Sequence, residues 1–121
     1  MTSDRGEVGS RHLTRIVLRD QRDADGIRSL TAAHQPGGGI FIEGYDLGDG
    51  VERIFGFREY EWTWDIDAEA VPAAIAALDG REGDDPLRLL AAWSAAHGGI
   101  DPGSHLREAG VPIRYWSRIG D

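Results

Sequence analysis

The chain has 121 residues, 40% hydrophobic and 28% charged, a globular composition rather than that of a disordered segment. Its 13 basic residues are all arginine, and 21 Asp and Glu outnumber them. The formal net charge of −8 argues against sequence-independent nucleic-acid binding and against an anionic membrane surface, since both require cationic surface. With no cysteine there is no disulfide framework, thiolate metal site or cysteine nucleophile.

No apolar run approaches the ~20 residues of a membrane span. The opening Met1-Thr2-Ser3-Asp4-Arg5-Gly6 lacks the apolar region of a secretory signal, so a cytoplasmic protein is expected. Residues 1–11 are polar and aperiodic and read as a flexible tail. Residues 12–121 read as a single α+β domain.

Within that domain, the β-branched run Thr14-Arg15-Ile16-Val17-Leu18 predicts a strand from His12 to Arg19, stopped by an Asp-rich turn from Asp20 to Gly26. A second strand, Ile27 to His34, and a third, Gly39 to Tyr45, flank the breaker Pro36-Gly37-Gly38-Gly39. After the turn Gly48-Asp49-Gly50 comes a short Val51–Phe55 segment. The clearest strand is Phe57 to Ile66. There Tyr60, Trp62, Trp64 and Ile66 alternate with Glu59, Glu61, Thr63 and Asp65, giving an aromatic core face and an acidic outer face.

The period then changes. Asp67 precedes a helix whose Val71, Ile75 and Leu78 recur at helical spacing. Asp85-Pro86 starts a second helix with the stripe Leu87, Leu90, Ala91 and Ser94, ended by Gly98-Gly99. Asp101-Pro102 starts a third, reaching Ala109, and Val111 to Ile119 closes the chain as an aromatic strand. Strands followed by helices predict an α+β fold: a largely antiparallel sheet of four to six strands with two or three helices packed on one face. The last strand is expected beside a central strand rather than beside its sequence neighbour. Trp62 and Trp64 are expected against the helix of Val71, Ile75 and Leu78.

Motifs for chemistry are sparse. Around Asp23 and Asp25 a calcium loop would put Gln21 and Ala32 at ligand positions, so an Asp-rich turn fits better. The glycine triplet leads into a strand and lacks the lysine and spacing of a phosphate loop. His12, His34, His97 and His105 form no metal-binding spacing, and no serine sits in a nucleophile elbow. No metal, cofactor or catalytic residue is therefore expected.

Two surfaces remain. Glu59, Glu61 and Asp65, extended by Asp46 and Asp49, would make an acidic face for a protein partner. Trp62, Trp64 and Tyr115 would line a pocket between sheet and helices, suited to a small molecule or a small enzyme's substrate.

The segments Glu43-Gly44-Tyr45-Asp46-Leu47-Gly48, Val51-Glu52, Phe55-Gly56 and Glu59-Tyr60-Glu61, with the ending Val111-Pro112-Ile113 and Tyr115-Trp116, resemble a pattern in small uncharacterised actinobacterial proteins. In size and acidity some of these look like immunity proteins that neutralise toxins. The resemblance, with the acidic strand face, makes an immunity-type inhibitor of a basic toxin the leading expectation. The aromatic-lined pocket is the alternative, and the oligomeric state stays open.

Overall fold

A computed structural model describes residues 13–24, 26–48 and 59–120. The N-terminal tail, Asp49 and the Val51–Phe55 segment lie outside the described residues. Five strands, β1 (Arg15–Asp23), β2 (Gly26–His34), β3 (Ile40–Leu47), β4 (Glu59–Ile66) and β5 (Arg114–Gly120), pair in chain order, each antiparallel to the next. Between β4 and β5 come a 3-10 turn (Ala68–Ala70), α1 (Val71–Ala77), α2 (Pro86–Ala96) and α3 (Gly103–Glu108). The α+β expectation holds, with the helices packed against the sheet.

Two strand expectations are corrected. Asp20 to Asp23 are not a turn: β1 runs through them, and the chain reverses immediately before Gly26. Polar residues are tolerated there because β1 is an edge strand, and all four are exposed. Gly26 takes φ 132°, and a Cβ on it would meet the Leu47 carbonyl oxygen, so this reversal needs glycine. The second correction concerns β5, which pairs with β4, its sequence neighbour, and not with a central strand. Because β1 to β4 pair consecutively, no interior position is open, and β5 adds at the edge that β4 presents.

The pleat sorts the sheet into two faces. Leu30, Ala32, Ile40, Ile42, Trp62, Trp64 and Ile66 point to the helices, where Leu87, Leu90, Leu106 and Val111 complete the core. The expected stripe of α2 is borne out at Leu87, Leu90 and Ser94, all buried. Asp85 caps α2 by accepting from the Leu87 N–H (3.0 Å), and its other oxygen accepts from the Leu13 N–H (2.7 Å). One buried carboxylate thus ties the segment just before β1 to the start of α2.

In α1 the buried stripe is shifted by one residue. Ala70, Ala74 and Leu78 are buried, while Val71 and Ile75 are half-buried. Small side chains occupy the contact line, which allows close approach, and the branched residues are displaced to its flank.

Candidate functional site

The aromatic face of β4 is longer than the helices cover. At its end near β5, a cleft of about 380 Å³ opens between β4, β5 and α3, lined by Tyr60, Trp62, Trp64, Asp101, Ser104, Arg107 and Tyr115. Strand alternation brings Tyr60, Trp62 and Trp64 to one side, and the register sets Tyr115 directly across from Trp64. Their rings form two pairs: Tyr60 with Trp62 at 5.2 Å between centroids, and Trp64 with Tyr115 at 4.6 Å.

Each tryptophan has a glycine beneath it. A Cβ on Gly44, the cross-strand partner of Trp62, would come within 2.1 Å of that indole. A Cβ on Gly103, the first residue of α3, would come equally close to the Trp64 indole. The tryptophans therefore pack against β3 and the start of α3, in the same core cluster as Ala70, Ala74 and Leu78. Glycine is required at both places for close approach rather than for an unusual turn.

Asp101 fixes the two indoles. Its Oδ2 accepts from Trp62 Nε1 (2.5 Å) and Trp64 Nε1 (2.8 Å), while its Oδ1 accepts from the Gly103 N–H (2.8 Å). The carboxylate that helps start α3 is thereby also the anchor of the cleft. Arg107, one turn further along α3, lies with its guanidinium 5.0 Å from the Trp64 ring and makes no ion pair among the described residues. The Tyr60 and Tyr115 hydroxyls share a short hydrogen bond across the cleft (2.5 Å). Burial, then the hydrogen bond to Tyr115, pushes the Tyr60 phenol up to about 12.

The structure thus brings Trp62, Trp64 and Tyr115 together. Tyr60, an aromatic of the same strand face, joins them, whereas sequence reading missed Asp101, Ser104 and Arg107 as members of the site. The i, i+3 spacing of Ser104 and Arg107 is the signal that places them on one side of α3, and Asp101 lies just ahead of its first turn.

The acidic strand face is arranged differently from the expectation. Glu61 pairs with Arg118, and Asp65 pairs with Arg114 (3.2 Å), which also reaches Asp67 (3.0 Å). Glu59 accepts from the Tyr45 hydroxyl (3.4 Å). Arg114 and Arg118 hold the charge of the stripe because β5 sets them directly across from Asp65 and Glu61. Glu61 and Asp65 are half-buried rather than bare. Asp46 does not extend the stripe, since it points to the opposite, helix-covered face. There it pairs with Arg19 (3.6 Å), and burial raises its pKa against the pull of Arg19 and Arg28.

His97 and His105 both stack on Trp93, at 4.0 and 4.8 Å between centroids. The His105 ring also hydrogen bonds to the Ala77 carbonyl (3.0 Å). His34 stands 3.8 Å from Asp85. Among the described residues no three His, Asp or Glu side chains gather as a metal site. Among the described residues no helix is long and apolar enough to cross a membrane. Compared with protein-family models, with curated proteins and with solved structures, the chain matches none.

Proposed function

We propose that this protein is a binding module, not dependent on catalysis, whose site is the cleft between β4, β5 and α3. The preferred ligand is a flat ring carrying an anionic group. The observation that carries this reading is the composition of the cleft: four aromatic rings around one guanidinium that makes no ion pair among the described residues. Asp101 is already engaged by three N–H groups, so Arg107 is the charge left to meet a ligand. A ring stacks on the indole and phenol faces, and its carboxylate or equivalent anion reaches Arg107 and the Ser104 hydroxyl.

An immunity-type inhibitor acting through an acidic face receives less support, because arginines from β5 neutralise Glu61 and Asp65. The cleft remains compatible with a protein partner that inserts an acidic, ring-bearing segment, but a small molecule needs no further surface.

Titration of the intact protein with 2-naphthoate, 2-naphthamide and 2-naphthylamine, followed by tryptophan fluorescence and calorimetry, tests the reading. The naphthoate is expected to bind with one site per chain, and Arg107→Gln to weaken it about tenfold, or roughly 1.4 kcal/mol. Equal binding of the three probes would remove the anion requirement. No saturable binding of any of them would remove the cleft as a site for flat ligands.

A further inference from the structure

We propose that β5 is a self-pairing edge, and that two copies of the chain join through it into one continuous antiparallel sheet with Ser117 on the two-fold axis. The proposal rests on the edge strand and is independent of what occupies the cleft.

The two edges of the sheet are built unlike one another. On β1 the register shifts between Val17 and Arg19, and Arg15, Arg19, Asp20, Arg22 and Asp23 place charge along the strand. Arg19 points inward, to Asp46. A bulge, edge charges and an inward-pointing charge are the devices by which sheet proteins discourage strand addition. On β5 the register to β4 is unbroken from Arg114 to Gly120, and the strand has no proline. Its two arginines are already paired to Glu61, Asp65 and Asp67 of the same chain. Its apolar side chains are open on both faces: Tyr115 is 40% exposed, Trp116 53% and Ile119 45%. Among the described residues nothing pairs with its outer side.

The choice of a second copy follows from charge and register. A two-fold axis perpendicular to the sheet keeps every residue on its own face, so only residues of one face can stand opposite each other. Centring the axis on Trp116 sets Arg114 against Arg118 of the other copy. Centring it on Arg118 sets that arginine against itself. Directly opposed like charges disfavour both. Centring on Tyr115 or Ile119 leaves at most three residues of the strand paired. Centring on Ser117 sets Trp116 against Arg118 and Tyr115 against Ile119, each twice by symmetry. The first is a cation–π pair and the second an aromatic–aliphatic pair. The strand is therefore self-complementary in one register. That register also stands Ile119 of the second copy beside Tyr115, at the outer wall of the cleft.

Sedimentation of the wild-type chain over a range of concentrations reads the mass directly, and the lack of cysteine makes a single introduced thiol a clean reporter. Opposed antiparallel residues stand within disulfide reach, so Ser117→Cys is expected to cross-link into a covalent dimer under mild oxidation. Glu69→Cys, at an exposed position in the 3-10 turn, measures collisional cross-linking. The expected result is a twofold rise in mass with concentration, together with faster cross-linking of S117C than of E69C. Trp116→Arg, which opposes two guanidinium groups, is expected to lose the dimer while keeping the circular dichroism of the wild type. The proposal is overturned by a wild type that stays monomeric, by S117C cross-linking no faster than E69C, or by a folded W116R that dimerises like wild type.

Discussion

At Asp101 a single carboxylate meets two indole N–H groups and the backbone N–H of Gly103. Removing it leaves three donors without their acceptor in a part-buried setting, and an unmet donor costs about 1–3 kcal/mol. Asp101→Ala is therefore expected to destabilise the protein by on the order of 3 kcal/mol in denaturant unfolding and to shift the tryptophan emission. A loss below about 0.5 kcal/mol would place this carboxylate outside the structural framework. The Tyr60 phenol provides a second residue-scale prediction. Its pKa is raised to about 12 from the ordinary phenol value of about 10, chiefly by burial and by the hydrogen bond to Tyr115. The folded state thus binds this proton more tightly than the unfolded state does. The corresponding stability is complete below pH 10 and is lost as pH rises from 10 towards 12. Denaturant midpoints measured across that window should fall for wild type and fall less for Tyr60→Phe. Equal slopes would remove the Tyr60–Tyr115 pair as the source.

At the scale of elements, what the sequence made legible was whatever one residue pattern determines. The alternation Tyr60-Glu61-Trp62-Thr63-Trp64 identifies β4 and its buried face, and Asp85-Pro86 identifies the start of α2 through a cap that forms as expected. Illegible were the features decided by neighbours. An Asp-rich stretch looks like a turn until β1 is known to be an edge, where polar residues need no partner on the outer side. Val71 and Ile75 look like the core line of α1 until packing brings Ala70 and Ala74 to the contact instead. The acidic stripe on β4 looks bare until β5 is known to pair with β4, because Arg114 and Arg118 lie far away in the chain. The cleft was half legible. Its rings on β4 and β5 follow from alternation, whereas Asp101 and Arg107 belong to it only because Gly103 lets α3 settle on Trp64.

At the scale of the whole molecule, every strand pairs with its sequence neighbour, and all of the helices pack against one sheet. The core has no internal boundary: Trp62 and Trp64 from β4, Leu87 and Leu90 from α2 and Leu106 from α3 belong to one cluster. Helices that bury Leu87, Leu90 and Leu106 in the cluster shared with the sheet lose that burial once it opens. Sheet and helices are therefore expected to unfold together. Thermal and denaturant transitions followed by far-ultraviolet circular dichroism, dominated by helix, and by fluorescence, which weights the tryptophans, should coincide. Trp62→Ala tests the same coupling from within, since Trp62 is 7% exposed and truncation of a large core aromatic costs about 3–5 kcal/mol. The variant should lower both transitions by the same amount, because the indole is shared structure and not a local decoration of the cleft. If the fluorescence transition moves while the dichroism transition keeps its wild-type midpoint, the aromatic end of the sheet opens as a separate unit. The cleft would then be a locally unfolding site rather than one carved into a cooperative domain.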